Sequence, residues 1–532
     1  MRLSRRAWLI ALFGCLHAFT YAGLLPLWEG FDEPFHFGYV QHLASTGSLP
    51  QLGITSLSRE VRTSIELAPA SHVVRSNISG SMAYDEFYAL SAEQREDRLK
   101  LLRAIDTSLR FKGSASPNYQ AHHPPLAFAL LAPLEKGLAR VSLVHRVLLL
   151  RWAIGIASVA LTTVFALWLA HEIGLTGVWA LALLLCAFSS QMFYATVTHV
   201  CNDWLAVPLV TGWLAAACTH VKRGSLRSAC LLGLITSLGL LTKAYFLALV
   251  PVLAVALIRP LMRSRSFGPA AVCLAITLTS APWYWRNVKL YGNISGTVEA
   301  TNGVGPAKVL EAAASVPWVS SIAYMARASV WTGNNSFTNF SVFTIHTYLL
   351  LLLCLFVLYC VRHARAKQID LLVLLTVAVF SGGIWFATVS SYVFTQGRSA
   401  GASPWYMQPL LVPVLTLCLL GAQASGRAGS FVAASLIGLS TYILSATYFA
   451  KLIPLYNGFP GGKVTLASML SWYSQTAAEG ATSLSLLPGG VVGAMALLLT
   501  FAGVGLAFFV IRDIVGVPGS PGTAASGRNS VQ

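Results

Sequence analysis

The stretch whose residue types could do chemistry is Glu29-Gly-Phe-Asp32-Glu33-Pro34-Phe-His36-Phe, which follows directly on an apolar run from Ala7 to Leu27. Two adjacent carboxylates at the mouth of a membrane helix, with an imidazole about one turn further on, sit where neither bilayer nor buried core favours charge. One carboxylate so placed can serve as general base toward an acceptor hydroxyl, and two together can hold a cation. A plainer reading is that Pro34 opens a helix running from Pro34 to Thr46, capped by Asp32 or Glu33. That reading uses one carboxylate and leaves the other free. His36 is four residues from Asp32, so the two come near one another if the first turn includes Asp32.

Further along, Tyr119-Gln-Ala-His122-His123-Pro124-Pro125-Leu126 returns the chain to the membrane surface. Its paired histidines, at headgroup level, can contact phosphate oxygens or water. Arg151, one to two turns inside the second apolar span, faces a polar cavity or an anionic partner, or snorkels to the surface with Arg146. In Thr198-His199-Val-Cys-Asn202-Asp203-Trp204, Asn202 or Asp203 suits a helix cap. Lys243 divides two apolar stretches and points to an anion near the outer leaflet, or snorkels. Arg286 ends a Trp-rich segment that reads as an aromatic belt, yet it can reach a phosphate. Arg398 follows Gly397 at the outer mouth of a later span. Together these place two carboxylates, two histidines and up to four basic groups on one side of the membrane, as a phosphate-linked lipid donor and a hydroxyl acceptor would need.

The elements that must position them are membrane helices. Of 532 residues, 55% are hydrophobic and only 10% charged, with mean hydropathy +0.66, which predicts an all-α integral membrane protein. The net charge of +17 lies in short loops between apolar spans, where it signals topology and excludes a nucleic-acid partner. Twelve spans are expected, about 7 to 27, 146 to 170, 178 to 198, 203 to 221, 228 to 242, 244 to 259, 268 to 285, 343 to 361, 369 to 388, 405 to 422, 430 to 449 and 487 to 511. The first is read as a retained helix, because no small-residue cleavage site precedes Trp28. Inside loops then carry Lys222, Arg223 and Arg227, next Arg259, Arg263 and Arg265, and next Arg362, Arg365 and Lys367. Counting Pro124 to Val141 as a span would reverse that alternation, so it is expected to lie in the outer interface or to re-enter.

Large outer segments are thus Trp28 to His145, Arg286 to about Val342 and Ala450 to about Leu486. Eleven of the nineteen acidic residues fall between Glu29 and Asp106, which marks the first outer loop as the functional one. Within it, Leu90, Leu99, Leu102, Ile105 and Leu109 predict one amphipathic helix over Tyr84 to Leu109, and residues 45 to 58 and 113 to 118 read as connecting loops. Nine cysteines lack metal-ligand spacing. No internal repeat supports a transporter built of two related halves. The Gly/Pro/Ser-rich end after Asp513 reads as a disordered cytoplasmic tail.

Taken in order, Asp32-Glu33-x-x-His36-Phe37, His123-Pro124-Pro125-Leu126, Arg151-Trp152, Leu241-Thr242-Lys243 and Trp283-Tyr-Trp-Arg286-Asn287 resemble motifs of the GT-C superfamily of polytopic glycosyltransferases. The likeness is to protein O-mannosyltransferases, bacterial aminoarabinose transferases and an uncharacterised bacterial membrane family of the same layout. It implies a GT-C fold, with a catalytic membrane module over 1–300 that includes outer loop 28–145, a variable membrane region over 301–511, and a tail over 512–532. It implies transfer of a sugar from a polyprenyl-phosphate donor to an exoplasmic lipid, glycan or protein, on the outer face of a bacterial inner or plasma membrane. Asp32 would be the base, with Glu33 or His36 orienting it. His123, Arg151, Lys243, Arg286 and Arg398 would hold the donor phosphate, with His122, Asn202 and Asp203 as further candidates. No cofactor is required, although a divalent cation could sit at Asp32 and Glu33. The long first loop and the lack of a β-trefoil insert or of a soluble C-terminal domain set the chain apart from the protein mannosyltransferases, and leave sugar and acceptor open. A lipid-linked glycan polymerase or ligase, with essential basic residues in late outer loops and a dispensable Asp32, is the rival enzyme. A transporter or flippase, with charge near the bilayer midplane, is the rival outside enzymology.

Overall fold

The computed structural model describes residues 4–333, 340–363, 368–459, 466–479 and 483–516. The protein is an all-α integral membrane protein whose strand content, among the described residues, is one short two-stranded ribbon. Nine described helices are each long and apolar enough to cross a bilayer: Arg5–Leu24, Leu143–Ile173, Asp203–Arg223, Ala244–Ser264, Val342–Arg362, Ile369–Phe394, Pro404–Ala424, Gly426–Tyr456 and Gly489–Val515. They correspond to nine of the twelve expected spans.

The remaining three expected spans take irregular forms. Residues 178–198 form Val178–Phe188 and Gln191–Val197, bent by 63°, because Ser190 caps the second piece by accepting from Phe193 N at 3.4 Å. Residues 228–242 become the fifteen-residue helix Leu226–Leu240, short for a crossing. Residues 268–285 extend through a 3₁₀ turn to Tyr291, so Arg286 lies within a helix rather than after one. A further bent pair, Pro306–Ser315 with Trp318–Val330 at 99°, occupies the outer segment that the sequence leaves without a span.

Several helix ends expected on the inner side lie together. His171, Lys222, Arg263 and Ile369 line one cavity, which brings four predicted inner ends together, and Arg6 pairs with Asp513 at the same end. Of the expected inner basic residues, Arg365 and Lys367 lie outside the described residues, as do most of the predicted tail and parts of the third outer segment.

The first outer loop departs most from expectation. The single helix predicted over Tyr84 to Leu109 is divided into Tyr84–Ala89, Ala92–Arg103 and the 3₁₀ turn Thr107–Phe111. Ser91-x-x-Gln94 is a capping box, with Ser91 Oγ accepting from Gln94 N at 3.2 Å and Gln94 Oε1 accepting from Ser91 N at 3.0 Å; such a reciprocal pair starts a new helix. Nor are residues 45 to 58 and 113 to 118 merely loops, because Ser56–Ser58 pairs antiparallel with Gly113–Pro117. Pro124 to Val141 does yield a short helix, Leu126–Gly137, which buries Phe128, Leu131 and Glu135 and exposes Leu130 and Leu134, the two-sided pattern of an interfacial element.

Buried charge fastens this outer layer to the bundle. Arg146, in the first turn of the Leu143–Ile173 span, pairs with both Glu60 and Glu135, while its Nε donates to Val141 O at 3.0 Å. All three charged side chains are fully buried. Removing one member of such a cluster leaves a buried charge uncompensated. Arg146→Met is therefore expected to cost about 3–5 kcal/mol, and adding Glu60→Gln to it, with Glu135 still paired to Arg110 at 3.7 Å, should restore much of the loss. Thermal unfolding of the purified protein in detergent measures both, and an Arg146→Met midpoint equal to wild type would refute the anchoring role.

Candidate active site

The Asp32 motif leaves the first span as a tight, irregular turn. Trp28 and Asp32 both adopt left-handed backbone conformations, with φ of 63° and 56°, which non-glycine residues visit only where the surroundings hold them. Gly30 is required between them: a Cβ there would sit 2.4 Å from His199 Cβ. Asp32 stands at the N-cap of the Glu33–Thr46 helix, with Pro34 in its first turn, but its side chain makes no capping bond. Instead Oδ1 accepts from the Tyr119 hydroxyl at 2.7 Å and Oδ2 from Gln120 Nε2 at 3.2 Å. Burial pushes the Asp32 carboxyl above its ordinary range, while the Tyr119 bond and the Lys243 charge pull it back only partly.

The ribbon delivers those two donors. Past its second strand, Asn118 N bonds to Thr55 O at 2.9 Å, and Asn118 Nδ2 reaches Phe35 O at 2.9 Å. Its Oδ1 accepts from Gln120 N at 3.0 Å, so one asparagine ties the ribbon to the Glu33–Thr46 helix and starts the turn carrying Tyr119 and Gln120. Phe35 packs on the Tyr119 ring at 4.2 Å between centroids.

Glu33 has an entirely different fate from its neighbour. Its Oε1 accepts from Arg151 Nε at 2.8 Å and from Val200 N at 3.0 Å, and its Oε2 pairs with Arg151 Nη2. Burial opposes its charge, but Arg151 outweighs burial and holds the carboxyl below its usual range. The remaining Arg151 donors reach Ala22 O at 3.3 Å, Leu25 O at 2.8 Å and Pro26 O at 2.9 Å. A guanidinium has five N–H donors, and all five are taken. Arg151 therefore has none left for a donor phosphate, and the Glu33 carboxylate makes no bond to Asp32.

Glu33 Oε1 and Oε2 are committed to Arg151 and Val200 N, while Asp32 Oδ1 and Oδ2 each accept one protein donor and keep a further acceptor site. Among the described residues, no cluster of three His, Cys, Asp or Glu side chains could hold a metal ion.

Three histidines, His36, His122 and His123, lie against one another at the site. His36 stacks between His123 at 5.5 Å and Phe128 at 5.6 Å and makes no bond to Asp32. His122 Nδ1 lies 2.7 Å from Tyr119 O, and His123 O accepts from Tyr39 OH at 3.1 Å. Burial holds all three neutral: it pulls His122 down to about 4, and His36 and His123 well below the ordinary imidazole value.

Lys243 lies in extended backbone between Leu226–Leu240 and the next span, and its Nζ meets Asp203 at 2.6 and 2.7 Å. The ring centroids of Tyr406 and Tyr245 lie 4.9 and 5.2 Å from that ammonium. Asn202 occupies an N-cap position without capping; its Nδ2 reaches Thr242 O at 3.3 Å, which fixes the residue before Lys243. Asp203 is thus the partner of Lys243 rather than a cap.

Two expected basic residues stand apart. Arg286 lies against Trp283 at 4.9 Å and donates to Pro50 O at 2.8 Å. Arg398 is exposed, and among the described residues no hydrogen bond or ion pair ties it to the cluster. Tyr119, Gln120, His199 and Tyr406 were not assigned roles from sequence. Tyr119 and Gln120 adjoin the histidine pair and were legible by position, whereas Tyr406 reaches Lys243 only through packing of a distant span.

No curated protein sequence matches the chain. Two crystal structures of ArnT from Cupriavidus metallidurans are similar at 11% identity. The one bound to undecaprenyl phosphate covers 96% of this chain and 78% of its own, with a TM-score of 0.46; the apo form covers 90% and 75%, with a TM-score of 0.41. A family model described as "Predicted membrane protein (DUF2142)" matches residues 15–415, from within the first span to beyond the Tyr406 segment, and the chain belongs to that family.

Proposed function

We propose that this protein is a membrane glycosyltransferase that moves a sugar from a polyprenyl-phosphate donor to a hydroxyl-bearing acceptor on the exoplasmic face. The observation that carries this reading is Asp32, a carboxylate oriented by Tyr119 and Gln120, raised in basicity by burial, and set beside Lys243. The order of the sequence motifs supports it, as does the gathering of basic inner ends at the opposite side of the bundle.

In the reaction, the acceptor oxygen attacks the anomeric carbon while Asp32 takes its proton. The bond from that carbon to the phosphate oxygen breaks, and the electron pair leaves with polyprenyl phosphate. Lys243 meets the developing phosphate charge: Asp203 and the two tyrosine faces fix its position, and an ammonium has three donors, so one remains for the leaving group. Backside attack inverts the anomeric centre. Glu33 and Arg151 serve as a positioning pair that holds the turn on which Asp32 stands, and the neutral histidines line the acceptor side. No step requires a metal.

In membranes supplied with radiolabelled polyprenyl-phosphate sugar, Asp32→Asn should lower transfer by about 10²–10⁴-fold, the usual contribution of a general base, while the folded fraction is retained. Transfer at the wild-type rate would remove Asp32 from the chemistry.

The pH dependence has a defined sign. The base acts when deprotonated, so kcat/KM falls as pH drops through the Asp32 pKa, and burial places that acid limb above the ordinary value of 3.8. The Tyr119 bond favours the charged form. Tyr119→Phe should therefore shift the limb to higher pH, and a limb that stays in place or moves lower would show that Tyr119 does not tune the base.

A further inference from the structure

A second cavity, of about 620 Å³, lies under the Ala92–Arg103 helix, within the size range of small-molecule sites. None of the groups around Asp32 lines it. Its floor is the level at which three spans leave the membrane. Leu27 follows the end of Arg5–Leu24, Val144 stands in the first turn of Leu143–Ile173, and Leu486 and Leu487 precede Gly489–Val515. Its roof presents Leu99 and Leu102. Leucine and valine side chains thus face the cavity from below and above beside the ends of three spans, with Ser483 and Ser485 on the same wall.

Its mouth is basic. Arg103 and His145 line the opening and are exposed. Glu96 also lines it and pairs at 3.1 Å with Lys100, which lies 4.0 Å from Asp97 as well. Neither Arg103 nor His145 has an acidic partner among the described residues, although His145 Nδ1 meets Ser142 Oγ at 2.7 Å. Apolar walls opening beside two basic groups that no acidic side chain pairs with among the described residues complement one kind of occupant, an amphiphile with an anionic head.

We infer that this cavity binds an anionic phospholipid of the leaflet on the Asp32 side, with its phosphate between Arg103 and His145 and its glycerol and upper acyl carbons over Leu27, Val144 and Leu487. The site is independent of the proposed sugar transfer. It abuts that machinery, however, because Pro26, whose carbonyl Arg151 holds, is part of the same wall.

The test is native mass spectrometry of the full-length protein in detergent, titrated with phosphatidylglycerol, with phosphatidylcholine and with inorganic phosphate. Wild type should prefer phosphatidylglycerol over phosphatidylcholine by about tenfold, roughly 1.4 kcal/mol, and millimolar inorganic phosphate should not displace it. Arg103→Glu with His145→Glu should abolish the preference, and Val144→Trp should weaken both lipids by filling the floor. Leu99→Trp, from the exposed helix above, provides the same block if Val144→Trp unfolds. Equal binding of phosphatidylglycerol by wild type and the double variant would overturn the proposal. So would full displacement by inorganic phosphate, which would mark an anion site without a lipid.

Discussion

Everything at the candidate site hangs on the buried pair between Glu33 and Arg151. One guanidinium draws together the Glu33–Thr46 helix, three carbonyls at the end of the first span and the second span. The other side of the same carboxylate holds the amide of Val200. Four segments are thus fixed at one dry point. An isolated charge of either sign would be intolerable there, and the pair is tolerable because its hydrogen bonds are complete. The left-handed turn at Asp32 is a consequence, since the residue before Glu33 must carry the chain from the end of the first span to a carboxylate already pinned to the second.

Adjacent carboxylates consequently do opposite things. Glu33 is charged, saturated and buried, and it holds shape. Asp32 is largely buried, is bonded by two neutral donors and keeps a raised proton affinity. Environments that push two neighbouring acids apart in this way divide labour between them. At Asp203 and Lys243 one charge fixes the position of the other.

How much of this the sequence disclosed varies with the range of the interaction. The membrane class and the run of spans were legible because hydropathy and loop charge are properties of contiguous stretches. Breaks at Ser190 and Ser91 depend on single capping side chains inside otherwise periodic runs, and these were missed. Arg151 read as a group available to phosphate because nothing near it in the chain could show that Glu33, 118 residues earlier, would consume its donors. Tyr119 and Gln120 stood in plain view beside His122 and His123. Their role depends on a ribbon formed from Ser- and Gly-rich stretches that lack the alternating β-branched pattern of a strand.

That separation of 118 residues has a consequence for biosynthesis. Chains emerge at about 5–20 residues per second, so Glu33 is made roughly 6 to 24 seconds before the arginine that neutralises it. Throughout that interval the acidic turn is tethered to one inserted helix, with its carboxylates still hydrated and its geometry unset. The site is therefore not a property of the first hairpin as it is laid down; it comes into being when the second span arrives, and insertion order becomes part of how the site is made.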